Sequence, residues 1–276
     1  MRMPWLALVA ALLVVAAQAV AAPAADPWPR WERYDAASTV TIDHSPFGQF
    51  LARHVAPQPD GSTRVTYARV DSDDRDMLAG YVAALESAPV SILDRDEQMA
   101  FWINLYNAVT LKTVLEHYPV GSIRDIALPS GPPGRGPWGA KLVTVEGESL
   151  SLDDIEHRIL RPLWQDPRVH YALNYAAIGC PDLQPEPFTA DGLDQQLDAA
   201  AIRFVNHPRG VRLEEDRLTV SSIYDWYRED FGGTERDVVA HLMAYAAPSL
   251  AMLLQKRATI DAYHYDWRLD DADAAP

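Results

Sequence analysis

The chain has 276 residues, a single cysteine and a formal charge of −15. One cysteine rules out an internal disulfide, so stability must come from a packed core. So acidic a chain lacks the positive field that binding to DNA, RNA or anionic lipid requires.

Residues 1–21 read as a secretory signal. Arg2 gives a short positive region, Leu6 to Ala17 is unbroken apolar sequence, and Ala19-Val20-Ala21 is a small-x-small cleavage pattern. The apolar run is too short for a span of about 20 residues. Cleavage is expected after Ala21, with Ala19 or Ala25 as alternatives, and no stable membrane insertion is expected afterwards. No cysteine follows to carry a lipid, so the mature protein is expected to be periplasmic or secreted. About 250 residues remain, enough for one large domain or two small ones. Residues 22–30 form a Pro/Ala linker without regular structure, and 31–270 read as one domain.

The segment from Trp31 to about Val55 is amphipathic and predicts a helix; T-R-V-T-Y-A-R-V predicts a short strand, and Asp71 to Leu85 a second helix. Asp96 to Tyr118 is the clearest helix: acidic residues open it, His117 lies near its end, Pro119 stops it, and its apolar residues run nearly all round. After a Pro/Gly loop, K-L-V-T-V-E-G-E-S-L predicts a hairpin turning at Glu146-Gly147. Ser151 opens a helix with Asp154 in capping-box register. R-V-H-Y-A-L-N-Y alternates as a strand, with His170 and Asn174 on one face. Leu193 to Val205, Ile223 to Phe231 and Val238 to Lys256 predict helices, L-T-V-S-S and I-D-A-Y-H-Y-D-W-R-L strands, and 271–276 a disordered tail.

Two readings of Cys180 stay open. With His170, ten residues earlier, it can form a thiolate–imidazole pair if the chain turns back at Gly179. Glu156 or Asn174 would then orient the imidazole. Equally, Cys180 can be an inert core thiol beside a satisfied histidine. Asn104 and Asn107 share one face of the buried helix, either fixing a crossing segment or holding a substrate carbonyl. Trp138 can be a stacking platform, a lid residue or a core plug. His157, about 100° round the helix from Glu156, is expected to face solvent. No zinc spacing, phosphate-cradling G-x-G-x-x-G or serine elbow occurs, so neither metal nor cofactor is expected.

F-W-I-N-L-Y-N-A (101–108), S-L-D-D-I-E-H-R-I-L-R (151–161), D-P-R-V-H-Y-A-L-N (166–174) and G-C-P-D-L (179–183) occur in order. So do F-V-N (204–206), S-S-I-Y-D-W-Y (221–227) and Y-D-W-R-L (265–269). Together they resemble a domain-of-unknown-function family of exported bacterial proteins and plant and animal proteins. The resemblance implies no established activity. That family usually has N-C where this chain has Asn174-Tyr175, and W-S-L-N where it has Trp267 to Asp270. If the missing first cysteine were the family's nucleophile, this chain would be a dead variant; Cys180 matches the second.

The expected fold is α+β, with a central buried helix packed on a mostly antiparallel sheet and a loose likeness to papain-like or transglutaminase-like folds. One expected function is a thiol-dependent hydrolase or acyl transferase acting on peptide or amide material of the cell envelope. Cys180, His170 and Glu156 would be its catalytic group, and Asn104, Asn107, Asn174 and Trp138 its substrate contacts. The alternative is a non-catalytic envelope binding or accessory domain using the same residues. Either way the partner is an unknown peptide or envelope component.

Overall fold

A computed structural model describes residues 23–129 and 136–274. The expected signal at 1–21 lies outside the described residues. The fold is α+β, helices around small sheets. Helix α1 (Ser45–His54) has Pro46 in its first turn, so of the amphipathic segment expected as a helix from Trp31 to Val55 only these 10 residues near its end are α-helical. Helix α2 (Ser72–Glu86) is capped by the Asp71 carboxylate, which accepts from the Asp74 N–H.

Helix α3 (Arg95–His117) is the central element. The Asp94 carboxylate accepts from the Glu97 N–H at 2.8 Å, acidic Asp96 and Glu97 occupy the first turn, and His117 the last. Eighteen of its 23 residues are buried, so it has no solvent face. It packs against α2 on one side and the π-helical segment Asp154–Leu160 on another. Among the described residues no helix is long and apolar enough to cross a membrane.

The strands fall into three small sheets. β1 (Val55–Pro57) pairs antiparallel with β2 (Thr63–Val65). β3 (Val143–Val145) and β4 (Glu148–Leu150) form the expected hairpin, with Glu146 at φ 45° and Gly147 at φ 85° making its two-residue turn. β5 (Val211–Glu214) pairs antiparallel with β6 (Arg217–Ser221), which pairs parallel with β7 (Ala262–His264).

The π-helical segment continues into α4 (Arg161–Trp164). Its start follows the expected capping box: the Ser151 hydroxyl accepts from the Asp154 N–H, and the Asp154 carboxylate accepts from the Ser151 N–H. The strand expected at His170 is absent; Val169–Ala172 is a short helix, α5. The Asp166 carboxylate accepts from the Arg168 N–H, and the Val169 N–H closes on the Asp166 carbonyl. This Asx turn with Pro167 starts a helical turn. Every side chain of α5 is buried, so its polar–apolar alternation marks neighbours rather than a sheet face.

α6 (Leu193–Val205) matches expectation. The 223–231 segment is α7 (Ile223–Trp226) followed by a 3-10 turn at Arg228–Phe231. α8 (Glu235–Tyr245) and α9 (Pro248–Leu254) are separated ahead of Pro248, whose ring disfavours helix in the residue before it.

The described parts of the two flanking segments, residues 23–30 and 271–274, make contacts with the rest of the fold. In the supposed linker, the Asp26 and Trp28 N–H groups donate to the carbonyls of His157 and Arg158. Trp31 is buried edge-on against Trp102. In the supposed tail, the Ala272 N–H donates to the Val65 carbonyl and Arg69 pairs with Asp273 at 2.6 Å. Each segment satisfies backbone groups of a core element, which is what orders it.

Candidate functional site

Glu156 is the centre of the buried polar network. Its Oε1 accepts from the Tyr175 hydroxyl at 2.5 Å and its Oε2 from the Tyr106 hydroxyl at 3.2 Å. The Tyr175 and Tyr227 hydroxyls lie 2.9 Å apart. Burial opposes its charge, but the His157 and His170 imidazoles and the Tyr175 hydroxyl outweigh it and hold Glu156 below the usual carboxylate value. Burial pushes the hydroxyls of Tyr106, Tyr175 and Tyr227 well up, so all three remain protonated donors.

His170 stacks on the Tyr227 ring with centroids 4.0 Å apart. Its Nε2 lies 2.7 Å from Asp230 Oδ2. Its Nδ1 lies 3.8 Å from Glu156 Oε1 and has no hydrogen-bond partner among the described residues. Arg161 grips Asp230 with two nitrogens, Nε to Oδ2 at 2.6 Å and Nη2 to Oδ1 at 3.0 Å. Burial works against the Asp230 charge, yet the His170 and Arg161 hydrogen bonds hold its carboxyl far below the ordinary range.

Glu156 and Arg161 are five residues apart, a separation that puts side chains about 140° apart on an α-helix. The π register brings them one above the other, with the Arg161 N–H bonded to the Glu156 carbonyl. The same winding buries His157, expected in solvent; its Nδ1 lies 3.2 Å from Arg161 Nη1.

Cys180 sits apart from this network. It is 0% exposed. Its sulfur accepts from the Tyr175 N–H at 3.0 Å, and its thiol points at the Leu173 carbonyl at 3.5 Å. Burial pushes the thiol up to about 12, against a smaller opposing pull from the Tyr175 N–H. Among the described residues no hydrogen bond joins Cys180 to His170; the imidazole is occupied by Asp230 and Tyr227 instead.

The three asparagines hold backbone. Asn104 brackets Phe188, donating to its carbonyl at 2.7 Å and accepting from its N–H at 2.9 Å. Asn107 donates to the Ala172 carbonyl and accepts from the Asn174 N–H, both at 2.9 Å. Asn174 donates to the Pro181 carbonyl at 3.0 Å and accepts from the Ala176 N–H at 2.8 Å. Asn107 and Asn174 together fix the loop from Ala172 to Pro181 on which Cys180 sits, and Asn104 anchors the chain further on at Phe188.

A half-buried aromatic wall stands beside Tyr175. Trp138 meets the Tyr175 ring edge-on at 6.4 Å and the Trp267 ring at 5.7 Å. Trp226 stacks on Trp267 at 5.6 Å, and Tyr265 packs against both at 4.8 and 4.6 Å. Gly136 has φ 73°, and a Cβ there would fall 2.2 Å from the Trp138 ring; only glycine lets that ring fold back on its own chain. Two surface clefts lie elsewhere, one of about 300 Å³ by Tyr34 and Asp94, the other of about 430 Å³ between Gln184 and Arg203. Among the described residues no cluster of potential ligands could hold a metal ion.

The structure thus brings Glu156 to His170, puts Trp138 against Tyr175, and ties Asn107 to Asn174. Asp230, Arg161 and Tyr227 are absent from the sequence-based site. Asp230 is 60 residues from His170, and Tyr227 lies in the S-S-I-Y-D-W-Y motif without a recognisable role there. The one available signal was that motif's density of aromatic and acidic residues.

Residues 90–205 match the model of a family described as "Protein of unknown function, DUF547". A domain of that kind is therefore present, containing Glu156, His170, Tyr175 and Cys180; Tyr227, Asp230 and most of the aromatic wall come from chain beyond it. No curated protein and no solved structure matches the chain.

Proposed function

We propose that this protein is a non-catalytic binding module of the bacterial cell envelope. It holds its ligand against the wall formed by Trp138, Trp226, Tyr265 and Trp267, and the Glu156–His170–Asp230 network stiffens the scaffold beneath. The carrying observation is the state of Cys180: fully buried, hydrogen-bonded on both sides and held far above its ordinary pKa. A thiol in that setting is a small core residue rather than a nucleophile. Asn104, Asn107 and Asn174 are spent on backbone, leaving Trp138 as the expected ligand contact that still has an open face.

Alkylation tests this reading. Native protein treated with iodoacetamide between pH 7 and 9 is expected to stay unmodified over hours, and protein unfolded in guanidinium to take up one equivalent. Rapid native labelling with an apparent pKa below about 8.5 overturns the reading.

One observation favours catalysis by the same residues: His170 keeps Nδ1 unpartnered beside Glu156. A hydrolase or acyl transferase built on it would need the Cys180 thiol to leave Tyr175 and Leu173 and reach the imidazole. Turnover of a peptide or ester substrate that disappears in Cys180→Ser would establish this second reading.

A further inference from the structure

We infer that the aromatic wall is a saccharide-binding surface that takes an uncharged glycan chain. This rests on the binding-module reading and names the ligand class of that same site.

Three separated parts of the chain build the wall: the loop carrying Trp138, the end of α7 with Trp226, and the segment after β7 with Tyr265 and Trp267. The four rings pack on one another, yet all remain partly open. Trp31 and Trp102 are closed in the core, while Trp28, Tyr118, Trp164, Tyr245 and Tyr263 are partly open elsewhere. What sets the wall apart is that four partly open rings pack on one another. Large indoles left half-open and clustered are a recognition feature, because they offer wide rigid contact at little entropic cost. The axial C–H face of a pyranose is the ligand surface that matches an indole face: flat, apolar, and edged by hydroxyls.

The polar rim suits hydroxyls. Arg228 pairs with Asp225, next to Trp226, and Arg268 pairs with Asp266 at 2.6 Å, next to Trp267. A paired guanidinium and carboxylate cancel as charges but keep N–H groups and lone pairs that hydroxyls can use. Arg124 lies 5.2 Å from the centre of the Trp267 ring and makes no ion pair among the described residues, so its N–H groups stay available. A rim of cancelling pairs has little net field, and the chain's −15 charge repels polyanions. That combination favours a neutral chain over an acidic one. An apolar protein partner is disfavoured too, since ion pairs adjoin two of the four rings of so small a patch.

The test is calorimetric titration of the full chain with chitotetraose and with cellotetraose, read in parallel by tryptophan fluorescence. At least one is expected to give saturable heat and a shifted emission. Trp226→Ala and Arg124→Ala should weaken binding, at least tenfold and several-fold respectively, with unchanged circular dichroism. Arg124 is exposed, so its variant is informative even if a tryptophan variant unfolds. Met252→Ala, at a residue 63% exposed on α9, should bind as the parent does. No saturable binding of either tetrasaccharide at millimolar concentration overturns the inference. So does undiminished binding in both the Trp226 and the Arg124 variant, or binding confined to tetragalacturonate, titrated as the acidic comparison. A reactive Cys180 would sink the binding-module reading; glycan failure with an inert thiol sinks only this inference.

Discussion

Asp230 shows how one residue can set the state of a buried centre. It receives Arg161 on two oxygens and His170 on one of them, and its side chain is only 20% exposed. Removing one partner from a buried charge pair typically costs about 3–5 kcal/mol, because the other charge is left uncompensated. Asp230→Asn is therefore expected to lose stability on that scale in guanidinium denaturation, with the Arg161 guanidinium stranded. The Asp230 and Glu156 carboxyls both lie below their ordinary values. Their stabilisation is thus complete above a carboxylate's unfolded pKa of about 4 and fades as pH falls through the folded values. Asp270 has the opposite sign. Burial, partly offset by the Tyr67 hydroxyl, pushes it up to about 6. It contributes fully below about pH 4, and that contribution is lost as pH rises to about 6. Asp270→Asn keeps an oxygen for Tyr67 and should be more stable than the parent by about 2–3 kcal/mol at pH 8, with the advantage vanishing near pH 4. Unfolding curves at both pH values check this.

At the scale of elements, legibility follows locality. α3 could be read from its sequence because its acidic first turn, its near-continuous apolar surface and the terminating Pro119 act within the helix itself. The Glu146-Gly147 hairpin and the Ser151–Asp154 cap were legible for the same reason. The segment around His170 was not. Two-residue alternation there came from a one-turn helix buried on all sides, which sequence periodicity cannot separate from a strand over so few residues. Asn107 holds that turn through two backbone bonds. Asn107→Ala leaves the Ala172 carbonyl and the Asn174 N–H unsatisfied in the interior. At about 1–3 kcal/mol for each buried group, the variant should lose several kcal/mol, and its Asn174 amide should exchange faster by NMR.

Across the whole molecule, the C-terminal segment closes over the Cys180 loop. The Gly179 N–H donates to the Asp266 carbonyl and the Ile178 N–H to the Arg268 carbonyl, both at 2.8 Å. A Cβ on Gly179 would fall 2.5 Å from the Asp266 nitrogen, too close without backbone movement. Gly179→Ala is therefore expected to lift the segment and make Cys180 reactive to iodoacetamide while circular dichroism stays close to the parent's. Continued protection of the thiol would mean that the loop adapts instead. The sequence by itself determined the helix α3, the hairpin, the capped helix start, the absence of a disulfide and the α+β class. Each of these is set by neighbours within a few turns of chain or by composition. Only the tertiary structure decided that His170 belongs to Asp230 and Glu156, that a π register aligns Glu156 with Arg161, and that Cys180 is sealed. Those facts depend on groups tens of residues apart competing for the same buried partners, and pairing of that kind leaves no periodicity to read.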